Sequence, residues 1–257
     1  METVVVTNDD GISAAGIRIL ARHLEARGFR VCIYAPARPM SGTGKGFRLP
    51  APVYEADIGV GECAYAVDAT PAAAVYLALE TLEEPPLAVV SGVNRGPNMG
   101  FEDILTSGTV GAALEAAFQG VPGVAVSLAC DSPGELEYHA PSTIAVAAVE
   151  ALASVGGGSM VVNVNSPPRP KGVEATVPAW NNYDIPVRLA RGLAAPGPHG
   201  IGSRYWDRRP GTDVEAVLAG YASVSGILLD GRGLTWLDPG HPLLESIASK
   251  PLQASYL

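Results

Sequence analysis

Short apolar runs alternating with segments of helical periodicity predict an α/β protein, with helices covering both faces of a mainly parallel sheet in three layers. Two observations carry that expectation. Runs such as Thr3-Val4-Val5-Val6 and Leu87-Ala88-Val89-Val90 are apolar at successive positions, as in strands buried on both faces. Between them lie stretches with apolar residues at helical spacing and with cap and stop signals at their ends. A chain of 257 residues is long enough for one large domain of this kind.

The elements follow in order. After the first strand, Ser13 is the expected cap of a helix carrying Ile17, Leu20, Ala21 and Leu24 on one stripe, with Gly28 as its stop. A strand is expected over 30–35, a loop over 36–46, and strands around 47–56 and 63–67. Thr70-Pro71 is a cap followed by proline in the first helical position, and predicts a helix to about residue 82. Further strands are expected over 87–90, 124–128 and 160–164, with a helix opened by Ser107 and closed by Gly120, and another over 142–153. Beyond residue 166 prolines and glycines break the chain into short β-like pieces at 173–177 and 224–229, and helical periodicity returns only at 243–249. The division is therefore a core over 1–166 and a β-rich segment over 167–257 that completes the core and acts as an oligomerisation arm.

A net charge of -9 excludes an overall attraction to nucleic-acid polymers or anionic membranes. Neither a basic leader followed by a long apolar stretch nor a run long enough to span a bilayer occurs, which predicts a cytoplasmic protein. Cys32, Cys63 and Cys130 are widely spaced, so free buried thiols in a reducing compartment are expected.

In open parallel sheets ligands bind beyond the carboxyl ends of the strands. Four polar, glycine-rich loops fall there: 7–11 (Thr-Asn-Asp-Asp-Gly), 39–46, 91–100 and 106–109. Together they offer the adjacent carboxylates of Asp9 and Asp10, amides, hydroxyls and a helix start. Hard oxygen donors suit Mg²⁺, Mn²⁺ or Ca²⁺ rather than zinc, and a cation would relieve the Asp9–Asp10 repulsion. The Ser107-Gly108-Thr109 turn offers backbone N–H groups to an anion, so metal and anion together point to phosphate chemistry.

Other motifs fail on inspection. Gly44-Lys45 resembles the tail of a P-loop, but Pro39 and Gly46 stand where that motif needs glycine and a hydroxyl, and Phe47 breaks a GxGxxG match. His23, expected on a helix surface, His139, His199 and His241 lack metal-ligand spacing, with His199 in a loop as a candidate proton donor. Ser127 lacks the GxSxG elbow of a hydrolase triad.

Taken together, "VVVTNDDGISAAGI", "APARPMSGTGKG", "TPAAAVYLAL", "VVSGVNRGPNMGFEDILTSGTVGAALEA" and "GVPGVAVS" resemble the SurE (survival protein E) family in order and spacing across the first 130 residues or so. "VVNVNSP" and "GTDVEAVLAGYASVS" continue the match more weakly. The resemblance implies a Rossmann-like core and a divalent-metal phosphomonoesterase acting on nucleoside 5′- or 3′-monophosphates. It also implies a homodimer or homotetramer exchanging C-terminal elements. Carried over, the metal ligands are Asp9, Asp10, Ser41 and Asn94, with Asp9, Asp10 and Asn94 as the catalytic set. Asn8, Asn98, Ser107, Gly108 and Thr109 are the candidate pocket residues.

The chain departs from the family where Ala72-Ala73-Ala74 replaces Ala-Asp-Cys and where Ala37 replaces an aspartate. These departures, with Trp180, Tyr183, Tyr205 and Trp206 as candidate stacking surfaces, predict a narrow preference for one nucleotide, such as a modified one in a biosynthetic pathway. The competing readings are a non-catalytic nucleotide or metal sensor and a polyphosphate hydrolase.

Overall fold

The structure is a computed structural model that describes residues 1–184, 187–190, 193–196, 202–205 and 207–252. Its centre is a 10-stranded sheet. The parallel part comprises β1 (Thr3–Thr7), β2 (Arg30–Pro36), β4 (Cys63–Val67), β5 (Ala88–Arg95), β6 (Gly123–Leu128) and β7 (Met160–Ser166). Their order across the sheet is β7-β6-β5-β1-β2-β4. β3 (Val53–Glu55) closes one edge antiparallel to β4, and β13 (Ala222–Asp230) with β14 (Gly233–Trp236) closes the other. β8 (Val173–Ala175) pairs alongside β13. The chain leaves β1 toward β2 on one side and returns to β5 on the other, so the switch point lies between β1 and β5.

Alternation within the strands sorts the core into layers. Val4 and Val6 face α1 (Ala15–Ala26) and α5 (His139–Val155), packing with Ile17, Leu20 and Leu152. Val5 and Val89 face the other way, onto α2 (Pro71–Thr81) and α4 (Gly108–Phe118), packing with Ala73, Ala112 and Ala116. The Ala-rich sequences of α2 and α4 let those helices sit close to each other and to the sheet. Thr70 caps α2 as expected, its hydroxyl accepting from the Ala73 N–H at 3.3 Å.

Several expectations need correcting. Ser13 does not cap α1, whose N-cap is Ala14 with no side-chain bond. Residue 23 is off the apolar stripe of α1, yet His23 is buried, because α5 covers it and His139 Nδ1 meets its Nε2 at 2.9 Å. Cys32 and Cys63 are not free thiols: the parallel register of β2 and β4 sets them opposite each other, 4.8 Å apart at Cα, as a disulfide. Cys130 is the free thiol.

The apolar pieces beyond residue 166, expected to form an oligomerisation arm, are largely buried in their own subunit. Val224 and Ile227 lie in β13 against β7, and Leu243, Leu244 and Ile247 of α7 (Pro242–Ala248) join the main core. A further helix, α6 (Asp213–Leu218), interrupts the region expected to lack one. Outside the main sheet, β9 (Asn181–Asp184) pairs with β12 (Gly202–Tyr205), and β10 (Val187–Ala190) with β11 (Leu193–Pro196). No helix among the described residues is long and apolar enough to cross a membrane.

Candidate active site

The loops after β1, β2 and β5 and the start of α4 converge at the switch point. They enclose a cavity of about 210 Å³ lined in part by Asp9, Ser41, Asn94, Asn98 and Ser107. Asp9 is 4% exposed, and its Oδ1 accepts a hydrogen bond from Thr109 Oγ1 at 2.7 Å. Burial pushes its pKa up to about 6, with the Thr109 bond opposing that rise and the neighbouring Asp10 charge adding to it. Asp10 is also raised by burial, against the Arg95 backbone N–H that donates to its Oδ2 at 2.9 Å and the Arg95 charge. One oxygen of each carboxylate is thus engaged by the protein, leaving Asp9 Oδ2 and Asp10 Oδ1 as the remaining donors.

Each partner is placed by its backbone. Asn94 lies inside β5, at a register shift against β6, and its Nδ2 donates to Gly96 O at 2.9 Å, which turns the amide oxygen the other way. The loop carrying Ser41 is tied down by Met40 N–H donating to Asp9 O at 2.7 Å and by Gly44 N–H donating to Thr106 O at 2.8 Å. Ser107 Oγ caps α4 by accepting from Val110 N–H at 3.1 Å. Gly108 lies close against Asp9: a Cβ there would stand 3.0 Å from the Asp9 Cβ and 3.2 Å from its Oδ2, so a side chain would press on the carboxylate.

Of the carried-over residues, Asn8, Asp10, Gly108 and Thr109 do not line the cavity themselves. Asn8 is fully buried and both ends of its amide are spent on Gly11, Nδ2 donating to the carbonyl at 2.8 Å and Oδ1 accepting from the N–H at 3.1 Å. It therefore braces the turn that presents Asp9 and Asp10 and does not line the cavity. The Thr109 hydroxyl is likewise spent on Asp9, which leaves its backbone N–H at the start of α4. Ala73 and Ala74 are buried in the core among Val5, Tyr34 and Val67, so they do not border the cavity, and that argument for narrow substrate choice falls. His199 and Trp206 lie outside the described residues, as do the side chains of Tyr183 and Tyr205.

The sequence reading missed α3 (Gly100–Thr106), which places Asp103 and Thr106 on the cavity. A seven-residue helix that opens on a glycine gives little periodic signal, though Glu102 and Asp103 in its first turn are the acidic residues a helix start favours. Lys45 turns away: its ammonium pairs with Glu115 and sits 4.9 Å from the Phe118 ring centre.

No group of three or more His, Cys, Asp or Glu is arranged for a metal among the described residues. The cavity is lined by the Asp9 and Asp103 carboxylates with neutral amide and hydroxyl groups, and Asp10 stands beside Asp9 without lining it. Such a set fits a hard divalent cation, which would also favour the ionised carboxylates that burial disfavours at Asp9 and Asp10.

Fold and cavity together define a doubly wound α/β protein with a cavity lined by oxygen-bearing side chains at its switch point. The sequence profile of the family described as Survival protein SurE matches residues 4–184. The 5′-nucleotidase SurE of Moorella thermoacetica is 37% identical over 246 residues, spanning 88% of this chain and 90% of that protein. The 5′-nucleotidase SurE 1 of Thermus thermophilus is 36% identical over 259 residues, spanning 95% and 99%. The crystal structure of the SurE protein from Aquifex aeolicus matches with a TM-score of 0.72 at 32% identity, covering 89% of this chain and 94% of that one. The chain belongs to the SurE family.

Proposed function

We propose that this chain is a divalent-metal-dependent nucleotidase that removes phosphate from nucleoside 5′-monophosphates. The observation that carries the reading is the convergence of Asp9, Ser41, Asn94, Asn98 and the start of α4 on one cavity at the switch point. Relatives named 5′-nucleotidases, similar over nearly the whole chain, support the substrate class.

Asp9, Asp10, Ser41 and Asn94 would hold the cation. When bound, it neutralises charge on the phosphoryl group and polarises an attacking oxygen. The protein's own groups do the rest. Thr109 fixes the rotamer of Asp9, and the Arg95 N–H fixes Asp10. The free N–H groups in the first turn of α4 receive phosphate oxygens, aided by the helix dipole. Closeness of Gly108 to Asp9 brings anion site and carboxylate within one substrate's reach. Pairing of Lys45 with Glu115 removes a cation from any extended basic track, which favours a monoester over polyphosphate.

A panel of 5′- and 3′-nucleoside monophosphates, modified nucleotides and short polyphosphate, assayed for phosphate release, tests the reading. The expected result is release from 5′-monophosphates that stops in EDTA and returns with Mg²⁺ or Mn²⁺. No turnover of any nucleotide would leave a binding protein, and full activity after chelation would reject the metal.

The strand pairs β9–β12 and β10–β11, set outside the main sheet, support the assignment of an arm exchanged between subunits. Light scattering should then give a homodimer or homotetramer, and a stable monomer at micromolar concentration would contradict it.

A further inference from the structure

The face of the sheet under α3 and α4 changes character along its strands. Toward one end Val161 and Ile227 pack with Ile104 and Val110. Toward the carboxyl ends of the parallel strands the same face turns polar. Asn163 and Asn165 of β7 and Ser127 of β6 are completely buried, and Asn165 stands in register with Ser127. A valine at either asparagine would continue the apolar run of β7, and buried amides weaken a core unless their hydrogen bonds are made. Asn163 Oδ1 has no hydrogen-bond partner among the described residues, so packing stability does not account for it.

The bonds that are made converge on one residue. Asn165 Oδ1 accepts from the Asn98 backbone N–H at 2.7 Å, and Asn165 Nδ2 donates to the Asn98 carbonyl at 3.0 Å. Asn163 Nδ2 donates to the same carbonyl at 3.1 Å. The Asn98 side chain in turn donates from Nδ2 to Ser127 Oγ at 2.7 Å. The backbone N–H, the backbone carbonyl and the side-chain amide of Asn98 are therefore all held from below, and Asn98 lines the cavity. With Nδ2 committed to Ser127, the amide has one orientation left for Oδ1.

We propose that Asn163, Asn165 and Ser127 are positioning residues for the reaction: they clamp Asn98 so that its amide meets the substrate in a single orientation. The proposal rests on the nucleotidase reading. None of the three lines the cavity, so each acts through Asn98. A loop residue between Pro97 and Met99 would otherwise sample several rotamers, and misplacement of a substrate-contacting group by a fraction of an ångström to an ångström costs turnover steeply.

A double-mutant cycle tests this, with kcat and KM measured for the best 5′-nucleotide on Ser127→Ala, Asn98→Ala and the double variant. Ser127→Ala should lower kcat by roughly tenfold or more while the melting temperature holds. In the Asn98→Ala background the same change should have no further effect, because the bond it removes is already gone. Losses that multiply, or an unchanged kcat in Ser127→Ala, would overturn the proposal. Asn165→Asp, which keeps the acceptor for the Asn98 N–H but opposes its carbonyl, should be the more severe variant if it folds. Should the wild type release no phosphate, the nucleotidase reading fails separately, and the clamp is read by NMR. Solvent exchange of the Asn98 side-chain protons should be slow in the wild type and faster in Ser127→Ala. Equal rates would overturn the clamp.

Discussion

Asp9 is held by Thr109, crowded by Asp10 and backed by Gly108, so small changes around it should act on chemistry more than on folding. Thr109→Val keeps the shape of the side chain and removes the donor. A hydrogen bond to a charged group is worth about 1.5–3 kcal/mol, which predicts a fall of roughly ten- to hundredfold in kcat with the circular dichroism spectrum unchanged. Turnover equal to wild type would show that the bond places nothing. Elsewhere, His23 gives a pH dependence. Burial, and secondarily His139, pushes its pKa down to about 4 from an ordinary value of 6.5. Between those values the unfolded chain takes up a proton that the folded chain refuses, so stability present at neutral pH is lost as pH falls from 6.5 toward 4. Urea melts at several pH values should show a shallower acid loss in His23→Gln than in wild type, and parallel curves would contradict the assignment.

At the scale of elements, the start of α3 is anchored by a residue from far along the chain. Asp213 accepts the Gly100 N–H on Oδ2 and the Ala179 and Val214 N–H groups on Oδ1, each at 2.8 Å. Asp213→Ala would strand these donors in a buried corner, at about 1–3 kcal/mol or more. A lower melting temperature is expected, together with weaker substrate binding because Asp103 and Thr106 ride on the same helix. An unchanged melting temperature would show that α3 is held otherwise. What was legible here follows from range. Thr70-Pro71 announces α2 because cap and proline act within one turn, and the runs ending in Asn-Asp-Asp-Gly and Asn-Arg-Gly placed the site at the strand ends. The short α3 was missed because its start is held by a distant partner, Asp213, not by its own periodicity; α6 has only six residues, too few for a periodic signal, although Thr212 caps it locally. Burial of His23 and the facing of Cys32 with Cys63 were equally out of reach, since both depend on which element lies alongside.

At the scale of the molecule, one sheet joins the strands up to β7 to β13 and β14, and α7 packs into the same core, so the C-terminal part is core as well as candidate arm. The disulfide between Cys32 and Cys63 ties β2 to β4 near the sheet edge closed by β3. Thiol titration of the denatured, unreduced protein should find one reactive cysteine of three, and three would contradict the pairing. In the proposed function, the loops at the β1–β5 switch point perform phosphate ester hydrolysis. Asp9→Asn is the most direct test, because it removes one charge while preserving shape. Loss of an electrostatic contact of this kind typically costs about 3–4 kcal/mol at the transition state. Turnover of a nucleoside 5′-monophosphate by Asp9→Asn should therefore fall by roughly a hundred- to a thousandfold, with the fold and melting temperature retained. Near-normal turnover in that variant would contradict the account.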